Sequence, residues 1–191
     1  MNDTSTERPQ TRGERWREGF ALVTRGGLLL AALVFAALVV VGQGRPLEVG
    51  SVAPPLALRS YDGRGWDLSR FDGRPVIVNF WGTWCPPCLQ ELPHFARSAE
   101  AYGDRLVFVG ATVNSPRGEV FEVIERFGVR YPVAAVDNAS SQRWNASSLP
   151  STYFLDENHR VVYSTRGALS AKELHALVEE HLGIPAPTGA P

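Results

Sequence analysis

The chain has 191 residues, a formal net charge of −1, 44% hydrophobic and 20% charged residues. That composition suits one globular domain of ordinary size, and the absence of a strongly basic balance argues against a nucleic-acid partner. Of the 19 lysines and arginines, all but Lys172 are arginine, which reads as coding bias rather than chemistry.

Residues 1–25 are polar and arginine-rich, a leader expected to be disordered. Between Arg25 and Arg45 lie 19 residues without a charge, including the run LLLAALVFAALVVVG. As a helix this stretch spans roughly 28 Å, close to the ~30 Å core of a bilayer. A buried core helix would normally carry a polar face, and none interrupts the run. A cleaved signal peptide is the other membrane reading, but no clean A-x-A site follows the apolar core. Residues 26–44 are therefore expected to be an uncleaved transmembrane anchor. Arg8, Arg12, Arg15, Arg17 and Arg25 precede it and few arginines follow closely. By the positive-inside rule the N-terminus lies in the cytoplasm and the rest outside the cell membrane. That compartment lets disulfides persist.

A linker at 45–55 leads into a globular part at 56–184. Leu56–Ser60 and Gly65–Asp67 flank Asp62-Gly63-Arg64, which predicts a hairpin. Pro75–Phe80 is a β-branched apolar run and predicts a buried strand. A helix is expected from Pro86, where proline suits the first turn, to about Ala101. Leu106–Val113 predicts a second buried strand, and Arg117–Phe127 an amphipathic helix stopped by Gly128. After a loop and a polar stretch, Thr152–Leu155 and Val161–Thr165 predict a hairpin around Asp156-Glu157-Asn158-His159. The last helix, Ser170–Leu182, has a capping box in Ser170 and Glu173 and ends at Gly183. Residues 185–191 are a loose Pro/Gly-rich tail. The order β-α-β-α then β-β-α, behind a hairpin, predicts an α/β mixed sheet with helices on both faces. The four histidines are expected on the surface.

Cys85 and Cys88 are the chain's two cysteines, in NFWGTWCPPC. Zinc needs about four ligands, and neither a second pair nor a spaced histidine set accompanies these two. A permanent staple across so short a loop would restrict the unfolded chain little. The haem pattern C-x-x-C-H is broken by Leu89. Exchange chemistry remains. Cys85, at the junction of strand and helix, is placed to be the nucleophile, because a helix N-terminus favours a thiolate. Cys88, one turn further in, is placed to resolve the mixed disulfide.

The W-C-x-x-C motif behind a buried strand, followed by Glu91-Leu92-Pro93, resembles the thioredoxin fold. More narrowly, it is similar to membrane-anchored thiol-disulfide oxidoreductases of the TlpA/ResA/CcmG type. Val49-Gly50 to Pro54, Asp67-Leu68 to Gly73 and Leu149-Pro150-Ser151-Thr152-Tyr153-Phe154-Leu155-Asp156 resemble further segments of that family in the same order. The resemblance implies a thioredoxin-like domain with an N-terminal β-hairpin extension. It implies that Pro150 is a cis-proline turning the Leu149 backbone toward a bound peptide. It also implies that Glu91 is the acid near the buried cysteine, and that Trp84 flanks the reactive sulfur. Asn79 stands where thioredoxins proper carry an aspartate, which leaves Glu91 as the candidate for the Cys88 proton. Glu157-Asn158-His159 lacks the family's usual glycine; Asn158 is expected to take the positive φ there.

Pro86 and Pro87 remove two N–H donors from the helix start, and a carboxylate at Glu91 disfavours a thiolate. Both effects raise the cysteine pKa and point toward a reductase. The resemblance implies an oxidised protein substrate such as apocytochrome c and a membrane thiol carrier of the CcdA/DsbD type as electron donor; a monomer with no cofactor or metal is expected. A general disulfide oxidase is the main alternative. A peroxiredoxin-like peroxidase would need P-x-x-x-T-x-x-C, but Val78 and Gly82 hold the proline and threonine positions. A non-catalytic binding module is the remaining rival, and it would tolerate Cys85→Ser.

Overall fold

The structure is a computed structural model that describes residues 47–187. The expected leader 1–25 and anchor 26–44 lie outside the described residues. Among those described, no helix is long and apolar enough to cross a membrane.

The strand β3 (Val76–Trp81) is buried at every position. A strand enclosed on both faces must be apolar throughout, and its sequence VIVNFW breaks that rule only at Asn79. It pairs in parallel with β4 (Val107–Thr112) and antiparallel with β6 (Ser151–Leu155). Outward from β4 come β5 (Val133–Val136), β1 (Leu58–Arg59) and β2 (Gly65–Trp66), while β7 (Val161–Arg166) borders β6. The result is the expected mixed sheet, with seven strands in the order β2-β1-β5-β4-β3-β6-β7.

The steps from β3 to β4 to β5 run in one direction across the sheet. Right-handed crossovers then put both connecting helices on the same face. These are α1 (Pro86–Tyr102) and α2 (Arg117–Phe127). The C-terminal helix α4 (Ala171–Leu182) joins them. Ile77, Phe95, Phe108, Phe154, Leu174 and Val178 fill the space beneath α1 and α4. Trp81, Leu92 and Val120 form a second cluster with the two cysteines between α1 and α2. The opposite face is covered by a 3₁₀ turn at Leu68–Phe71 and by α3 (Asn138–Arg143), whose C-cap Trp144 packs on Phe80 and Tyr153.

Several local expectations meet the structure residue by residue. Ser170 and Glu173 form the capping box, and Gly128 and Gly183 end their helices in the left-handed conformation. Four details differ. The polar stretch after α2 holds the strand β5 and the helix α3. Residues expected as linker are knitted to the β7 side: Gly50 N–H donates to Val161 O at 2.7 Å and Ala53 N–H to His159 O at 2.9 Å. In the tail, the Pro185 carbonyl accepts from Arg105 at 3.1 Å. In the β6–β7 turn the positive φ of 53° falls on His159, not on Asn158, because Asp156 accepts from the backbone N–H groups of Asn158 and Arg160 and fixes the residues between.

Candidate active site

Cys85 follows β3 through the short segment Gly82-Thr83-Trp84 and is the N-cap of α1. Its N–H donates to Gly82 O at 3.1 Å, and its carbonyl accepts the N–H of Leu89 at 3.2 Å. Pro86 and Pro87 occupy the next two positions, where a missing N–H breaks no helical bond. Cys85 and Cys88 are joined by a disulfide with their Cα atoms 5.3 Å apart. Cys85 is 4% exposed and Cys88 fully buried. Both sulfur-bearing residues are therefore buried in this disulfide form.

The segment before Cys85 is clamped to the loop between β4 and α2 and to the first turn of α2. Thr83 N–H donates to Ser115 Oγ at 3.1 Å, and Thr83 Oγ1 donates to Glu119 at 2.6 Å. The Trp84 indole donates to Val113 O at 3.2 Å and is 56% exposed. Glycine at position 82 lets the indole lie close, since a Cβ there would stand 2.9 Å from two of its atoms. Trp81, by contrast, is wholly buried packing.

The Leu149–Pro150 peptide is cis. Phe80 pairs with Ser151, so this peptide stands beside the end of β3 from which the cysteine segment departs. Leu149 packs against the cluster that contains Cys85 and Cys88.

Glu91 sits one turn beyond Cys88 on the same face of α1 and is 1% exposed. Its Oε1 accepts from Asn79 Nδ2 at 2.8 Å and its Oε2 from Leu169 N–H at 3.0 Å. Asn79 Nδ2 also donates to Thr152 Oγ1 at 3.1 Å, its direct cross-strand partner. Burial pushes the Glu91 carboxyl up to about 7, while the bonds from Leu169 and Asn79 hold it back. Tyr131 is packed nearby, its hydroxyl without a partner, and burial and then the Glu91 charge drive its pKa upward.

The six sequence-predicted residues thus fall around one end of β3. Trp84, Cys85, Cys88 and Glu91 lie on or beside the start of α1, and Leu149 and Pro150 precede β6. Sequence reasoning missed Thr152 and the Leu169 N–H. The signal for Thr152 was a polar residue inside an apolar strand, as at Asn79. Nothing local marks a backbone N–H that lies 78 positions from its acceptor. His175, expected on the surface, is instead 7% exposed and bonded to Ser98 at 2.8 Å. It fills the contact between α4 and α1, and burial lowers its pKa.

Residues 49–164 match the AhpC/TSA family. The chain belongs to that family. It is 32% identical over 139 residues to the thiol-disulfide oxidoreductase ResA of Geobacillus kaustophilus strain HTA426, covering 71% of this chain and 77% of that protein. It is 30% identical over 160 residues to the ResA of Bacillus subtilis strain 168, covering 81% and 89%. Among solved structures, a thioredoxin-family thiol:disulfide interchange protein from Chlorobium tepidum TLS superposes with a TM-score of 0.63 at 26% identity, over 73% of this chain and 98% of the other. The protein is a thiol-disulfide oxidoreductase of thioredoxin-like fold, and Cys85–Cys88 is the only cysteine pair it contains.

Proposed function

We propose that this oxidoreductase is held at the outer face of the cell membrane by an anchor at residues 26–44, and that it reduces specific protein disulfides. Oxidised apocytochrome c is the substrate class the family resemblance favours, with a membrane thiol carrier of the CcdA/DsbD type as donor. The observation that carries the reductase reading is the setting of Cys88. It is fully buried one turn before the buried Glu91 carboxyl, and the two prolines after Cys85 offer no N–H to the partner sulfur.

In the reduced enzyme, the Cys85 thiolate attacks one sulfur of the substrate disulfide, and the other sulfur leaves as a thiolate. A mixed disulfide joins Cys85 to the substrate. Glu91, as carboxylate, takes the Cys88 proton. The Cys88 thiolate then attacks Cys85 Sγ, closes the Cys85–Cys88 disulfide and releases the second substrate sulfur. Two electrons have passed to the substrate. The donor dithiol reverses the sequence, and Glu91 returns the proton to Cys88 as it leaves. Exposed Trp84 offers the substrate a flat apolar surface beside Cys85, and the Leu149 backbone offers hydrogen bonds.

The test is the reduction potential of the Cys85–Cys88 pair in the full chain, by equilibration with thiol buffers. A value near about −270 mV supports the reductase, and a value near about −120 mV makes the protein an oxidant.

A further inference from the structure

Glu91 is the one fully buried carboxyl group among the described residues, and its two oxygens are not equivalent. Oε2 accepts from the Leu169 backbone N–H, a donor that cannot change role. Oε1 accepts from the Asn79 amide. A proton that settles on the Oε1 lone pair now served by Asn79 points at Asn79. An NH₂ group there would set donor against donor. The amide oxygen in the same place would accept.

The side-chain amide can present either atom, since a half turn about χ2 exchanges oxygen and nitrogen. In the orientation seen, Nδ2 serves both Glu91 and Thr152, while Oδ1 has no partner. After the half turn, Oδ1 would accept from the Glu91 carboxylic acid and from the Thr152 hydroxyl, which can give as well as take. One end of the amide is doubly bonded and the other unpaired in both orientations. The two states therefore carry a similar cost in unsatisfied groups.

We propose that the Asn79 carboxamide is a two-way positioning group, turning over with each proton that Glu91 gains or loses. It donates through Nδ2 to the carboxylate and accepts through Oδ1 from the acid. Thr152 turns its hydroxyl in step. The buried site then changes charge without stranding the proton. Leucine at position 79 would stabilise neither state. Aspartate would add a second carboxyl beside Glu91, and the pair would titrate as a unit.

The groups that face Glu91 permit this. On α1 the titratable neighbour is Cys88, held in the disulfide. From the segment before β5 comes Tyr131, kept protonated by burial and by Glu91 itself. β3 and β6 contribute only neutral Asn79 and Thr152, and the loop before α4 only the Leu169 N–H.

The inference deepens the proposed proton exchange between Glu91 and Cys88 and rests on it for its functional meaning, yet the two are tested apart. In the full oxidised chain, isotope-labelled and kept in detergent, NMR follows the Glu91 carboxyl carbon and the Asn79 side-chain amide from about pH 5 to about pH 9. The two should move with one midpoint, and Glu91→Gln should make the Asn79 signals independent of pH. Asn79→Leu removes a partner from both protonation states and should change the proton affinity of Glu91 by less than about tenfold; a larger rise would mean that Asn79 serves the carboxylate alone and would overturn the proposal. Asn79 signals that stay flat through the Glu91 step overturn the proposal, as does a Glu91 carbon that does not titrate in this range. The wild-type comparison decides the matter even if Asn79→Leu does not fold. The proton-exchange reading is judged separately, by the pH profile of disulfide reduction. If Glu91→Gln keeps the wild-type profile, that reading falls while the Asn79 signals still report on Asn79.

Discussion

Cys88 and Glu91 share one helical face, and under the proposed proton exchange the pH at which Glu91 ionises should govern two measurable properties. The first is rate. Glu91 can accept a proton only as carboxylate, so attack by Cys88 on the mixed disulfide should slow below about pH 7. Glu91→Gln should remove that break from the pH profile of substrate reduction and slow the resolving step by about 10²-fold. The second is stability. The folded carboxyl titrates at about 7 against an ordinary 4.5. Between those values the unfolded chain releases a proton that the folded chain keeps. Stability is therefore fully present below the lower value and falls as pH rises toward the upper one, by about 3 kcal/mol in all. Urea unfolding of the oxidised chain across this window should show the slope, and Glu91→Gln should flatten it. Glu91 and Asn79 were both legible through the family resemblance. Their bond was not, because it joins a helix to a strand.

At the scale of elements, the start of α1 sets the chemistry of Cys85. Pro86 and Pro87 leave its sulfur facing a first turn short of N–H donors. Replacing both with alanine returns two donors and should stabilise the Cys85 thiolate. One pKa unit of such stabilisation raises the reduction potential by about 30 mV, measured against a thiol buffer. The segment before α1 holds the docking surface. Gly82→Ala would drive a Cβ to 2.9 Å from the Trp84 indole, and should lower kcat/KM for a protein substrate while leaving reduction by a small dithiol nearly unchanged. At the far end of the chain the capping box fixes the start of α4, directly after Leu169. Ser170→Ala should cost about 1 kcal/mol in urea unfolding. Helices with such caps and strands with β-branched runs were readable in advance. β5, whose sequence is VAAV, and α3, whose sequence is NASSQR, were not. Neither is long enough to show a period, and each exists because its neighbours complete it. β5 is paired on both edges by β4 and β1, and α3 is held by the Asp137 cap and by Trp144 buried on Phe80.

For the whole molecule, the proposed anchor fixes the side of the membrane on which exchange takes place. In intact cells the reduced Cys85 should react with a membrane-impermeant maleimide, and deleting residues 26–44 should release the chain from the membrane fraction. Labelling only after lysis would overturn the extracytoplasmic assignment. The sequence by itself determined the reactive pair, the helix that presents it, the buried strand behind it and the hydrophobic segment near the N-terminus. Each of these is a local pattern, written in neighbouring residues by spacing, capping or an unbroken apolar run. Only the tertiary structure decided that three helices share one face of the sheet, that Leu149 reaches the cysteine cluster, and that Glu91 is held by Asn79 and Leu169. It likewise decided that His175 is buried against Ser98 and that His159 takes the left-handed turn. These depend on which distant segments meet, and contact across the chain leaves no periodic trace in the sequence.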